Sequence, residues 1–290
     1  MPDCPPPLAH PSLPAARLPA GACDTHCHVF GPAERFPYAE GRSYTPPDAP
    51  FEKLAVLHAH LGIERAVIVQ AACHGADHSA LLDAISRADG RYRGVAVLRP
   101  DVTDEALRRL HAGGVRGARF NYVPHLGAPP ADEAVLALAE RLAPLGWHLC
   151  LHVDGAALTG LLPLLRRLPV PFVVDHMGRI EAARGLADPA FKGLLGLAAQ
   201  PNAWVKISGI DRIGAGKRPF HEGIPFMRAL ADAMPDRTLW GTDWPHPNVS
   251  GEMPDDGEVV NVLFEAVPDA GLRHRILVDN PARLYGFEAR

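Results

Sequence analysis

One pattern recurs eight times along the chain: a short apolar run of strand character, a polar loop, then a stretch of helical period. The strand candidates are Ala22–Val29, Ala66–Ala71, Gly94–Leu98, Gly117–Asn121, His148–Val153, Pro171–His176, Ala203–Ser208 and Thr238–Asp243. Cys23 to Thr238 spans 215 residues in seven intervals. That is roughly 31 per unit, the unit length of a (β/α)8 barrel of about 250 residues. Strands alternating with helices imply parallel pairing and right-handed crossovers. In Asp132–Gly146, Val135, Leu138, Ala139, Leu142 and Leu145 follow helical spacing and Gly146 supplies the stop. Asp188 before Pro189 reads as an N-cap with proline at the first helical position, and Asp279–Phe287 as a closing helix. A doubly wound open sheet is the alternative. It normally carries a glycine-rich phosphate loop after its first strand, where this chain has DTHCHVFG.

The expected organisation is a proline-rich N-terminal tail, residues 1–20, and one barrel domain, residues 21–290. The tail, MPDCPPPLAHPSLPAARLPA, has neither a basic start nor a continuous apolar stretch, so it does not read as a secretory signal. Loose or hugging the surface are both open to it. No apolar run reaches the length of a membrane span. The formal charge of −4, from 29 basic and 33 acidic residues, argues against nucleic acid as a partner. Five cysteines (Cys4, Cys23, Cys27, Cys73 and Cys150) include no CxxC pair, and Cys73 and Cys150 fall in strand-like runs. Reduced thiols and a cytoplasmic location are expected. The expected partner is a small molecule, and the expected state a monomer or small homo-oligomer.

In a barrel the chemistry sits at the C-terminal ends of the strands. The first strand ends in Asp24-Thr25-His26-Cys27-His28. Residues two apart share a face, so His26 and His28 should point into the mouth, with Asp24 one step deeper at the same parity and Cys27 turned toward the helices. Later strand ends contribute Arg119, His152, Asp175-His176 with Arg179, Arg212, and Asp243. His58, His60, His111 and His274 lie in helical stretches and read as structural. Three arginines at one mouth match a carboxylated or polyanionic substrate, because guanidinium forks grip carboxylates through two bonds. The segment VFGPAERFPYAEGRSYTPPDAP after His28 is unusually long for a loop, and such loops commonly act as lids or binding loops. Ser208 and Ser250 lack the GxSxG elbow of a serine nucleophile.

DTHCH at 24–28, DHMGR at 175–179 and GTDWPHPN at 241–248 resemble the amidohydrolase superfamily, in the amidohydrolase-2 branch of metal-dependent or metal-derived hydrolases. CDTHCHVFGPAERFPYAEGRSYTPPDA, VIVQAACHGADH, GVRGARFNYV and LVDNPARLYGF are further similar to the lactonases of that branch that open 2-pyrone-4,6-dicarboxylate. The resemblance covers residues 21–290. It implies an aspartate, Asp243, that activates water, and histidines, His26, His28 and His176, that polarise the lactone carbonyl. It implies Tyr44, Arg119, Arg179 and Arg212 as holders of substrate carboxylates, with His125, His152 and Asn248 lining the same site. These lactonases need no metal.

Two departures bear on this. Pro124-His125 stands where the lactonases carry a basic pair, and His152 where they carry a tyrosine. A histidine on strand 5 is what zinc-binding members use, so a zinc or manganese site of His26, His28, His152 and Asp243 stays open beside the metal-free one. The leading expectation is a hydrolase that opens a carboxylated cyclic ester, with Asp243 as general base. A zinc-dependent nonoxidative decarboxylase of an aromatic or unsaturated acid, with His176 as proton donor, is the alternative. A non-catalytic binding protein on the same scaffold is a third reading.

Overall fold

A computed structural model describes residues 3–99, 101–123, 126 and 129–288. Eight parallel strands run in sequence order: β1 (Cys23–Cys27), β2 (Arg65–Val69), β3 (Tyr92–Val97), β4 (Val115–Tyr122), β5 (His148–Val153), β6 (Phe172–Val174), β7 (Ala203–Lys206) and β8 (Thr238–Leu239). Helices fill the crossovers: α1 (Phe51–Leu61), α2 (Ser79–Ser86), α3 (Asp104–Ala112), α4 (Asp132–Leu142), α5 (Gly155–Leu165), α6 (Pro189–Gly196) and α7 (Ile224–Ala233). α8 (Asp256–Ala266), α9 (Ala270–His274) and α10 (Asn280–Tyr285) follow the last strand. This is the (β/α)8 architecture expected from the eightfold alternation. Among the described residues no helix is long and apolar enough to cross a membrane.

Local chemistry accounts for the helix ends. Thr103, Asp188, Asp255 and Asp269 each accept a backbone N–H in the first turn of α3, α6, α8 and α9, and such caps are worth about 1 kcal/mol. The helix expected over Asp132–Gly146 closes at Leu142 and tightens into a 3₁₀ turn, Ala143–Leu145, before Gly146 at φ 65°. Pro144 has no N–H to donate four residues back. Cys73 lies in a turn, Ala72–His74, beyond the end of β2.

The strands bury both faces. Ala66, Ile68, Ala118, Leu149, Leu151, Phe172 and Val174 pack outward against the helices. Cys23, Val67, Val69, Val95, Cys150, Val173, Trp204 and Leu239 fill the barrel's lower interior, where Leu284, Tyr285 and Phe287 close the floor. His148 is fully buried in this region, edge-on to Tyr285.

The seam between β1 and β8 is closed by individual hydrogen bonds. Thr25 donates its backbone N–H to the Trp240 carbonyl at 2.9 Å, and Asp243 donates to the His26 carbonyl at 2.8 Å. Asp24 braces the seam, its Oδ1 accepting the Thr242 N–H at 3.1 Å and its Oδ2 the Thr242 hydroxyl at 2.6 Å. Gly241 permits this close approach, since a Cβ there would lie 2.5 Å from the His26 nitrogen.

The N-terminal tail lies along the barrel. Cys4 donates its N–H to the Thr45 carbonyl, Ser12 donates N–H and hydroxyl to Asp255, and Ala15 donates to Asn261 Oδ1.

Candidate active site

A register shift between Asp24 and Cys27 inserts one residue into β1 relative to β2. The consequence reverses one expectation. Before the shift Asp24 pairs with outward-facing Ala66, and its carboxylate lies 3.3 Å from His58 Nε2 on α1. Asp24 therefore does not share the inward face of His26. It still orients the mouth through the backbone, because Oδ1 accepts the His26 N–H at 3.0 Å. Beyond the shift, His26 and His28 point into the barrel together, and Cys27 packs with the outer core as expected.

The two histidines converge on Asp243. Asp243 Oδ1 lies 3.3 Å from His28 Nε2, 3.6 Å from His26 Nε2 and 3.7 Å from His176 Nε2. Asp243 Oδ2 accepts from Arg212 Nε at 3.0 Å and Nη2 at 2.7 Å. The backbone that presents these groups is unusual. His176, Met177, Asp243, His246 and Asn248 all have φ between 51° and 66°, the left-handed region that costs a non-glycine residue free energy. Such strain gathers at sites where side-chain direction matters more than local stability. Gly209 is required beside it, since a Cβ at its φ of 63° would fall 2.5 Å from His176 Nδ1.

Asp243 sits at the base of a pocket whose walls include His28, Tyr44, Arg119, His152, His176, Arg179, Arg212 and Asn248. The long loop after β1 brings in Tyr44, whose side chain is buried. His152 Nδ1 lies 3.2 Å from Asn121 Oδ1. Asn248 Oδ1 accepts the Cys4 thiol at 3.2 Å, so the tail touches the mouth. His125 and its neighbour Pro124 lie outside the described residues. Ala72, Leu126 and Pro247 also line the pocket, without any polar signature that sequence reasoning would pick out.

The arginines are less free than three strand-end charges imply. Arg212 is committed to Asp243 and also lies 3.2 Å from Asp211. Arg179 pairs with Asp154 at 2.7 Å. Arg119 reaches Asp175 at 3.7 Å and the Gln70 carbonyl at 3.5 Å. Arg119 thus has the loosest partners of the three.

Beneath the pocket lies a layer that sequence reasoning missed. Lys206 on β7 is fully buried, with Nζ 3.0 Å from Asp175 Oδ1, 3.3 Å from His26 Nδ1 and 3.7 Å from Cys150 Sγ. The signal was present: a lysine inside the apolar run AWVKIS, two residues from Trp204 and Ser208. Beside the mouth, His246 Nε2 meets Asp256 Oδ1 at 3.2 Å, both buried. Lys206, Arg119, Arg179 and Arg212 face Asp154, Asp175, Asp211 and Asp243, so the fixed charges of the site balance.

Burial lowers the pKa of His26 to about 3, against the opposing pull of Asp175. Burial likewise drives His152 and His176 well below the ordinary histidine range. Burial thus favours the neutral form of each of these imidazoles. Asp243 moves against its burial: Arg212 above all holds it well below the usual carboxylate range. Lys206 is also held charged against its burial, by Asp175.

The mouth includes a donor set that fits a divalent metal. Ligand atoms of His26, His28 and Asp243 lie within 4.8 Å of one another. His26 Nε2 is buried without a hydrogen-bond partner. His28 Nδ1 lies 2.6 Å from the Val69 carbonyl. That carbonyl takes the ring proton and leaves the Nε2 lone pair facing inward, the usual arrangement of a metal-ligating histidine. His152 is not part of this cluster.

A family model described as amidohydrolase matches residues 23–287. The chain belongs to the amidohydrolase family. This amidohydrolase is 43% identical to the 2-pyrone-4,6-dicarboxylate hydrolase of Comamonas testosteroni, over 96% of this chain and 94% of that one. It is also 43% identical to the 4-sulfomuconolactone hydrolase of Rhizobium radiobacter, over 99% and 97%. A solved structure from Acinetobacter baumannii, with citric acid bound, matches it with a TM-score of 0.81 at 28% identity, covering 92% of this amidohydrolase and 100% of that chain.

Proposed function

We propose that this amidohydrolase opens a lactone bearing an acidic substituent, by adding water across the ring ester. The observation that carries the reading is the convergence of three imidazole Nε2 atoms on Asp243 Oδ1 at the base of an arginine-lined pocket. Full-length relatives that act on a pyrone dicarboxylate and a sulfomuconolactone support the substrate class.

Asp243 acts as general base. Arg212 fixes one carboxylate oxygen and leaves the other facing the histidines. Water held at that oxygen gives its proton to Asp243 and its oxygen to the ester carbonyl. The ring C–O bond then breaks, and Asp243 returns the proton to the leaving oxygen. The products are a carboxylate and a hydroxyl or its tautomer. Imidazole N–H groups facing the carbonyl oxygen stabilise its developing charge, an effect worth about 3–4 kcal/mol for one well-placed donor. A divalent metal, when bound, would be held by His26, His28 and Asp243 and would supply Lewis-acid polarisation of the carbonyl.

Substrate anions fall to Arg119, Arg179, His152, Tyr44 and Asn248. Because the fixed charges balance, each acidic group of the substrate must find its own donor there. Arg119 is the chief anion holder and Arg179, partly exposed and tied to Asp154, the lesser one.

The test is acid release on a pH-stat from dicarboxylated and sulfonated lactones. Asp243→Asn should cost 10²–10⁴-fold in kcat with the melting temperature retained, the usual span for a general base. A folded Asp243→Asn variant of near-normal rate overturns the assignment. Carbon dioxide release without ring opening would overturn the lactonase reading in favour of a decarboxylase.

A further inference from the structure

His26 and His28 stand two residues apart and aim the same ring nitrogen at the same carboxylate oxygen. Their far sides differ. His28 Nδ1 faces only an acceptor, the Val69 carbonyl. His26 Nδ1 faces an acceptor and a donor at equal distance: Asp175 Oδ1 at 3.3 Å and Lys206 Nζ at 3.3 Å. An ammonium has three protons and no lone pair. Asp175 Oδ1 stands 3.0 Å away as its ion-pair partner. Cys150 Sγ, which itself donates to Asp175 Oδ2 at 2.9 Å, lies 3.7 Å away and is a weak acceptor. The remaining good acceptor around this fully buried ammonium is a bare His26 Nδ1. A buried charged donor left unpaired is costly, so Nδ1 carries no proton and Nε2 does.

We propose that Lys206 is a positioning residue that holds His26 as its Nε2–H tautomer, so that the paired histidines present one donor and one acceptor to the site, and that the same ammonium weakens the site for divalent cations. A metal needs a bare nitrogen from both rings. To supply it, His26 must move its proton to Nδ1, exchange Lys206 for Asp175 as partner, and leave a buried ammonium proton unsatisfied. Without Lys206 that rearrangement becomes favourable, since Asp175 alone then faces Nδ1.

The experiment uses the full chain stripped of metal, and no substrate, so its outcome is independent of the lactone reading. Imidazole ¹⁵N NMR with histidine labelling, assigned by the signal lost in His26→Gln, reads which nitrogen is protonated. Wild type should show His26 protonated at Nε2 and His28 at Nδ1. Lys206→Met should move the His26 proton to Nδ1 and raise zinc affinity, measured by calorimetry, by tenfold or more. A His26 already protonated at Nδ1 in wild type overturns the proposal, and this arm needs no variant to fold. A folded Lys206→Met variant with unchanged zinc affinity, or with tighter zinc but an unmoved proton, also overturns it. Lys206→Gln serves as the second variant if methionine beside Asp175 prevents folding, with the same expected direction and the same overturning results.

Discussion

Arg212 donates two nitrogens to one oxygen of Asp243, and that placement separates it from the other arginines of the pocket. Removing it should act on the proposed general base. Charge-assisted hydrogen bonds are worth about 1.5–3 kcal/mol, so Arg212→Met is expected to lower kcat by roughly tenfold to a hundredfold with a smaller change in KM. Arg119→Met, at the loosely paired arginine, is expected to raise KM by a similar factor with kcat nearly kept. Steady-state kinetics on an acidic lactone checks both, and a shared profile for the two variants would show that both arginines hold the substrate alike. Arg212→Lys should recover only part of the loss, because a point charge cannot reproduce the two-nitrogen fork. From the bare sequence the two arginines look equivalent, each at a strand end. What distinguishes them is Asp211, which flanks Arg212, and the turn after β8 that swings Asp243 onto it.

Two elements hold the mouth in shape: the seam between β1 and β8, and the tail. Gly241→Ala should disrupt the seam, because the new methyl would meet the His26 nitrogen and Asp24 Oδ1. Circular dichroism melting should show a loss above about 1 kcal/mol, the scale of an overpacked site. Asp255 has two duties, capping α8 and receiving Ser12 from the tail. Asp255→Ala is expected to cost about 1–2 kcal/mol, at or above a typical cap loss. Ser12→Ala leaves the cap intact and should cost less than half as much. Equal losses would mean that the cap contributes little. Eightfold alternation, the cap at Asp188, and inward-pointing His26 and His28 follow from spacing and residue type. Asp24's outward turn does not, since one inserted residue in β1 flips parity and a bulge leaves no compositional mark. Lys206 escaped for a related reason: a buried charge reads as a surface charge until Asp175, 31 residues earlier, is seen beside it.

Acid should unfold the whole molecule by way of its buried histidines. His26 and His148 are both lowered by burial to about 3, from an ordinary value near 6.5. The unfolded chain therefore binds protons between those limits that the native state refuses. The stability they contribute is complete above about pH 6.5 and is lost progressively as the pH falls toward 3. His148 lies in the lower barrel away from the pocket, so His148→Phe isolates its share. Denaturant melts from pH 7 to pH 4 should show a shallower decline for the variant, by up to about 1.4 kcal/mol per pH unit for one proton. Parallel declines would mean that His148 is protonated in the native protein. The seam has a further consequence, for the order of events during synthesis. Thr25 bonds to Trp240 across 215 residues, and Ser12 and Ala15 bond to residues 243 and 246 positions further on. A chain still on the ribosome after β7 has its two histidines but neither the aspartate they converge on nor a partner for the open edge of the first strand. The convergence of histidines on Asp243 is thus completed only once translation has passed β8, and the tail's contacts only once it has passed α8.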